Sequence, residues 1–293
     1  MKKEIIKIES KDQWLELRSH DITSTDCAVL FGLSPYKTIY ELWHEKKSGQ
    51  IISIDENQRM KWGSRLESAI AQGVAEDLNL TIEPFKDYHR LKEIKAGSSF
   101  DFHIPDKNAL LEIKNVDSLV YRNNWTEEEA PPHIELQVQH QLLVSGYESA
   151  YLCALVGGND LKLIKRKKDA YIQKQIVQRI KNFWEMSEPQ PNFEKDASFI
   201  ISLNQLAEPN KVYEGDTTDL QNLAIIYKSI SDQIKELENK KQAIKAQCLS
   251  IIGDSEKVKS DKFSISAGLI APSEVSFTRA GYRDFKIYLK KDK

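Results

Sequence analysis

Between Ser98 and Val116 the chain alternates apolar and polar residues on either side of a turn, and this constrains its fold more than any other stretch. Phe100, Phe102 and Ile104 alternate with Asp101 and His103, the period of a strand. Pro105-Asp106-Lys107-Asn108 supplies turn chemistry. Ala109 to Val116 then reads as a second strand, with Leu111 and Ile113 on one face and Glu112 and Lys114 on the other. Glu112 and Lys114 must share a face because side chains two apart on a strand point the same way. A hairpin register that sets Asp101 beside them gathers hard oxygen donors for a divalent ion, with an ammonium alongside. Glu-x-Lys is also common on solvated strands. Here Leu110 and Leu111 precede Glu112, and phenylalanines flank Asp101; a carboxylate in such apolar company needs a partner or a metal.

A chain of 293 residues has enough length for one large domain or two. With 40% hydrophobic and 29% charged residues it reads as globular rather than disordered. The net charge of -2 does not exclude a nucleic-acid partner, since basic residues need only be concentrated where a phosphate backbone runs. Cys27, Cys153 and Cys248 lack any C-x-x-C spacing, which argues against a disulfide framework or a zinc site and for a reducing compartment. There is no run long and apolar enough to span a membrane, and the charged start Met1-Lys2-Lys3-Glu4 is unlike a signal peptide, so a cytoplasmic location is expected.

Several flanking segments carry chemistry of their own. Asp12 to Ser19 reads as a short helix with Trp14, Leu15 and Arg18, and Ser24 as the N-cap of a second helix that Gly32 ends. A hydroxyl-rich helix start with an arginine one helix upstream is a ready anion site; the alternative is that Thr23 and Ser24 only cap the helix and Arg18 only pairs with Asp21. Thr38-Ile39-Tyr40-Glu41 is a capping box opening a helix toward Lys47, with Gly49 at its end. Asp55 to Leu78 contains a longer helix with an apolar stripe of Trp62, Leu66, Ala69, Ile70, Gly73, Val74 and Leu78, and Glu67 lies at the edge of that stripe. His133 to Ser145 is helical, with Ile134, Val138 and Leu142 forming a core face, Gln137 and Gln141 sharing a second face and Gln139 pointing elsewhere. Ala150 to Val156 reads as a buried central strand, and Gly157-Gly158-Asn159-Asp160 turns into a basic edge strand with Lys162, Lys165, Arg166, Lys167 and Lys168. Asp169 caps a helix striped by Ile172, Ile176, Ile180 and Phe183.

The expected organisation is a domain over 1–190, a linker over 191–217, and an accessory region over 218–293. In the last, Leu220, Leu223, Tyr227, Ile230, Ile234, Leu237, Lys241, Ile244 and Cys248 follow heptad spacing, a seam that wants a partner helix within the chain or between copies. Alternation around Phe263-Ser264-Ile265 and Val275-Ser276-Phe277 predicts a small β element beyond it.

Taken in order, Trp14-Leu15-Glu16-Leu17-Arg18 with Ile22-Thr23-Ser24, Gly32-Leu33-Ser34-Pro35-Tyr36-Lys37-Thr38, Gly63-x-x-x-Glu67, Ser99-x-Asp101, Glu112-x-Lys114, Gln137-x-Gln139 and the strand from Tyr151 to Gly158 resemble the YqaJ-like viral recombinase family. That family is related to bacteriophage lambda exonuclease within the PD-(D/E)XK nucleases. The likeness runs through most of the first 185 residues. It implies an α/β, restriction-endonuclease-like core, a mixed central sheet flanked by helices, to which the long C-terminal helix and small β element are added. It also implies that Glu67, Asp101 and Glu112 hold Mg²⁺, with Mn²⁺ able to substitute, and that Lys114 orients the attacking water. Arg18, Ser24, Ser99 and the glutamines Gln137, Gln139 and Gln141 would hold a 5′ phosphate. Members commonly carry a proline or small residue before the aspartate and often a glycine after it, where this chain has Phe100 and Phe102.

The activity so implied is a Mg²⁺-dependent 5′-to-3′ exonuclease on linear double-stranded DNA, leaving 3′ overhangs for a single-strand annealing protein. A trimeric ring is the oligomer the family suggests. The alternatives are a structure-specific or restriction-type endonuclease on the same fold, and a non-catalytic scaffold that binds DNA ends.

Overall fold

A computed structural model describes residues 1–47, 57–279 and 281–288. The expected helix end at Gly49 and the start at Asp55 lie outside the described residues. The chain divides into two compact units, Met1–Ile200 and Ile201–Lys293.

The first unit opens with β1 (Lys3–Lys7) and α1 (Lys11–His20), where Ser10 Oγ accepts from Gln13 N at 3.1 Å. β2 (Ile22–Thr23) is followed by the single turn α2 (Cys27–Leu30). The expected cap at Ser24 is corrected, because Asp26 occupies that position and the α2 turn starts only at Cys27. Asp26 turns its carboxylate back instead, accepting from Thr23 N at 3.0 Å and Thr23 Oγ1 at 2.7 Å. α3 (Ile39–Lys47) starts at the predicted capping box, with Thr38 Oγ1 accepting from Glu41 N at 3.2 Å and Glu41 Oε2 from Thr38 N at 2.7 Å. α4 (Gln58–Leu78), capped by Asn57, buries Ile70, Ala71 and Val74; Trp62, Ala69 and Leu78 of the expected stripe are exposed, so the buried face is narrower than the sequence pattern.

After β3 (Glu83–Pro84), β4 (Asp87–Leu91) and β5 (Ala96–Ser98) comes the hairpin of β6 (Phe102–Ile104) and β7 (Ala109–Val116). α5 (Ser118–Asn124), α6 (Pro132–Ser145), β8 (Ser149–Val156), β9 (Asp160–Lys167), α7 (Ala170–Glu185) and α8 (Phe193–Leu203) follow. A five-stranded mixed sheet runs β3-β6-β7-β8-β9, with β7 and β8 parallel and its other pairs antiparallel. A four-stranded sheet runs β1-β4-β5-β2, parallel only between β5 and β2. In that second sheet Gly97 passes so near Tyr88 that an added Cβ would lie 2.1 Å from its hydroxyl, a position where only glycine fits.

α4 packs Ile70, Ala71 and Val74 against Leu111, Ile113 and Ile104 on one face of the five-stranded sheet. On the opposite face α6 sets Ile134, Val138 and Leu142 against Leu110, Leu152 and Ala154. α6 also buries Leu136 and Val144 among Ile22, Ala96, Ile176 and Ile180. It is thus enclosed by core on both sides, which explains why its three glutamines are buried rather than solvated.

The expected linker is partly corrected: 193–203 is helical, and Asp196, 1% exposed, ties it down by accepting from Thr38 Oγ1 and Asn192 N, both at 2.6 Å. For the same reason the boundary between units falls after Ile200 rather than at 190.

In the second unit α9 (Thr218–Ile252) is 35 residues long, and its seam residues Leu223, Ile230, Ile234 and Leu237 are each at least half exposed. β10 (Lys257–Lys259) pairs antiparallel with β11 (Ser264–Ser266). The second expected alternation, at 275–277, forms no strand. Among the described residues no helix is long and apolar enough to cross a membrane.

Candidate active site

The site is built at the point where the hairpin loses its regular ladder. β6 and β7 pair Phe102 with Leu111 and Ile104 with Ala109, so extending the register by one residue sets Asp101 opposite Glu112. Asp101 itself lies outside β6, and its Oδ2 accepts from Ile113 N at 2.8 Å, continuing the ladder with a side chain in place of a main-chain carbonyl. The alternation expected from Phe100 to Ile104 breaks here. Phe100 packs in the cluster with Leu110, whereas Phe102 packs with Leu111 on the other face.

Glu112 is 3% exposed and accepts from Gln137 Nε2 on Oε1 and from Gln141 Nε2 on Oε2, both at 2.6 Å. Lys114 Nζ reaches the same Oε1 at 2.5 Å. The amides of a buried helix therefore fix the carboxylate without neutralising it. Burial, then Glu112, push the Asp101 carboxyl up to about 8. The Glu67 carboxyl is raised as well, by burial and then by Glu112. Burial works against the Lys114 ammonium, but Glu112 and Asp101 outweigh it and raise its pKa. Glu67 on α4, Asp101, Glu112 and Lys114 consequently form one electrostatically linked group.

Three mutually repelling carboxylates against one ammonium is the pattern a divalent cation relieves. Gln141 Oε1 is buried without a hydrogen-bond partner among the described residues while its Nε2 holds Glu112. The donor chemistry thus fits a hard cation. Among the described residues, however, no three His, Cys, Asp or Glu side chains are already gathered closely enough to hold one. Glu112 Oε1 accepts from both Lys114 and Gln137, so an ion there would have to displace the ammonium, whereas Oε2 accepts only from Gln141 and keeps a lone pair for a cation.

A second cluster is anchored two residues upstream of Asp101. Trp14 Nε1 donates to Ser99 Oγ at 3.2 Å, and the Arg18 guanidinium lies over the Trp14 ring at 4.5 Å. Arg18 Nη2 donates to Thr25 Oγ1 at 3.2 Å, which shares a 3.1 Å hydrogen bond with Thr23 Oγ1. Ser24, between those threonines in the chain, is buried. The expected alternative of an Arg18–Asp21 pair is corrected: Asp21 accepts from Arg90 Nε at 2.9 Å and from the Tyr88 hydroxyl at 3.3 Å. The Asp26 carboxylate, bonded to Thr23, is held far below its usual range: burial opposes this, but Lys46 at 2.9 Å and Lys37 at 3.7 Å overcome it. Sequence reasoning gave Trp14, Thr25 and Asp26 no part in the site. Trp14 stands one helical turn before Arg18, the spacing at which two side chains share a face, and that was the available signal.

Two expected features lie elsewhere. Gln139 donates to Lys167 O and accepts from Asp169 N, both at 2.9 Å, and so holds the junction between β9 and α7 instead of Glu112. In the basic edge strand Arg166 is clamped by Glu135, Lys162 by Glu127 and Asp160, and Lys168 by Glu148, so much of that charge is already met.

Residues 13–148, a span that includes Trp14, Arg18, Ser99 and the whole carboxylate–lysine group, match the model of the YqaJ-like viral recombinase domain. Bacillus subtilis (strain 168) YqaJ is 29% identical over 184 residues, 60% of this chain and 56% of YqaJ, so the chain spans little more than half of that relative. An alkaline exonuclease from Laribacter hongkongensis, LHK-Exo, superposes with a TM-score of 0.51 at 15% identity, over 65% of this chain and 96% of LHK-Exo. A phage-related exonuclease from Haemophilus somnus 129PT gives a TM-score of 0.44 at 10% identity, over 56% and 93% of the two chains. The first unit is mixed α/β, with two mixed sheets flanked by helices, and shares its fold with LHK-Exo.

Proposed function

We propose that this chain is a divalent-metal-dependent deoxyribonuclease that degrades linear duplex DNA from its 5′ ends. The observation that carries the reading is the set formed by Asp101, Glu112 and Lys114 on one hairpin, with Gln137 and Gln141 holding Glu112 in place. Glu67, Asp101 and Glu112 would hold the ion, Mg²⁺ or Mn²⁺. When bound, such an ion acidifies a coordinated water and offsets charge on the phosphoryl oxygens. Lys114, kept protonated by its acidic neighbours, positions the nucleophile and meets negative charge as it develops.

Arg18, Ser24 and Ser99, braced by Trp14 and Thr25, take the terminal 5′ phosphate, to which an arginine offers two parallel hydrogen bonds. Ser99 and Asp101 are separated by at most about 7 Å of chain. A phosphate held at the first therefore sets the next phosphodiester near the second, which supports end-directed 5′-to-3′ cleavage. The 3′ overhang left behind suits a single-strand annealing partner, and Gln137 and Gln141 act on Glu112 rather than on phosphate.

The test is digestion of 5′-phosphorylated linear, 5′-hydroxyl linear and covalently closed circular duplex, with Mg²⁺ or with EDTA. Mg²⁺-dependent loss of the phosphorylated linear substrate, with circles intact, is expected. Cleavage of circles, or undiminished activity in EDTA, overturns the reading.

A further inference from the structure

Lys114 also lines a cavity of about 430 Å³ that the proposed chemistry leaves unused. Its lining includes Tyr36, Arg59, Lys114, Trp125, Pro132 and His133. Trp125 is buried and forms an apolar wall, stacked on Tyr121 with ring centroids 5.6 Å apart. Tyr36 is different: it is 85% exposed, so its ring lies at the mouth of the cavity and not in its wall.

The backbone that carries Tyr36 is nevertheless fixed. Ser34 Oγ accepts from Tyr36 N and Lys37 N, both at 3.2 Å, and the next side chain, Lys37, is anchored by Asp26 and Glu45. The Tyr36 ring meets His133 edge-on, with centroids 5.8 Å apart and planes at 87°, a contact that leaves ring surface open. A firmly mounted aromatic face on a partly apolar cavity, with cations at Lys114 and Arg59 and the one lining carboxylate, Asp117, bonded to Leu119 N, matches a flat ring joined to a phosphate. Base–aromatic stacking needs no particular base, because every base presents a π-face.

We propose that this cavity receives a nucleobase of the cleaved strand, stacked on Tyr36, while Lys114 and Arg59 face the phosphates on either side of it. The inference rests on the nuclease reading above and adds a base-holding subsite to it. Tyr36 is a positioning residue here: it seats the nucleotide that adjoins the scissile phosphate and takes no part in bond breaking. The subsite draws one nucleotide out of the terminal stack, so an end that frays easily is its preferred substrate.

The experiment measures kcat/KM of the full chain with Mg²⁺ on 5′-phosphorylated duplex, intact or carrying a single abasic residue at the first or second nucleotide. Wild type, Tyr36→Ala and Tyr36→Phe are compared. Removing the base is expected to slow the wild type and Tyr36→Phe by roughly tenfold at one of the two positions, the scale of one stacking contact. Tyr36→Ala is expected to be slowed by a similar factor on intact duplex and to show no further loss on the abasic one. An equal abasic penalty in Tyr36→Ala and wild type overturns the subsite, as does full activity of Tyr36→Ala on intact duplex. A wild type that degrades none of these duplexes overturns the nuclease reading and the subsite with it.

Discussion

Replacing Asp101 by asparagine should abolish cleavage and, in the absence of metal, make the protein more stable at alkaline pH. The Asp101→Asn side chain keeps an acceptor for Ile113 N, which now lies 2.8 Å from Oδ2, and removes the charge that burial and Glu112 disfavour. The folded carboxyl titrates at about 8 and an unperturbed one at 3.8, so between these values the folded state holds a proton that the unfolded chain has released. Folding stability is therefore highest below the lower value and falls as pH rises to the upper one. At about 1.4 kcal/mol per pH unit, the wild type loses roughly 2–3 kcal/mol through this group between pH 6 and pH 8, and little more above that. The Asp101→Asn protein should lack that component. Urea unfolding in EDTA at pH 6, 7, 8 and 9 measures the difference. Parallel pH profiles for the two proteins, or an Asp101→Asn protein that gains nothing at pH 9, would refute the electrostatic account of the site.

Gln141→Leu removes a charge-assisted donor from a carboxylate 3% exposed, and should cost about 1.5–3 kcal/mol in denaturant unfolding as well as lowering kcat. Arg18→Lys keeps the charge but loses the planar fork, so the preference for 5′-phosphorylated over 5′-hydroxyl ends should narrow in a kinetic comparison of the two substrates. Asp196→Ala leaves Thr38 Oγ1 and Asn192 N without their acceptor and should destabilise the first unit by about 1–3 kcal/mol in thermal or urea unfolding, with activity at room temperature retained.

The hairpin was legible because strand period and turn chemistry are local signals, and Glu112 and Lys114 share a face wherever that strand is placed. The partner of Glu112 was not. Gln137 and Gln141 read as a shared helical face, but whether that face meets solvent or a sheet depends on α6 lying between two layers, and no local pattern encodes that. Asp196 was hidden for a related reason. Its segment is polar and follows prolines, as a linker does, and a hydrogen bond to Thr38, distant in sequence, holds it buried. Ser24 as a cap failed on competition: Asp26, two residues on, is the stronger acceptor and bonds backward to Thr23.

Because the Asp101 carboxylate fills a rung of the ladder at Ile113 N, its position relative to Glu112 is set by strand pairing. A slip of one residue between the strands would part the two acids and turn Glu112 toward the α4 face. Misregistered molecules should then be wholly inert rather than slow. In a folding experiment, regained activity would count correctly paired hairpins, and the specific activity of the refolded fraction would stay constant while its yield varied.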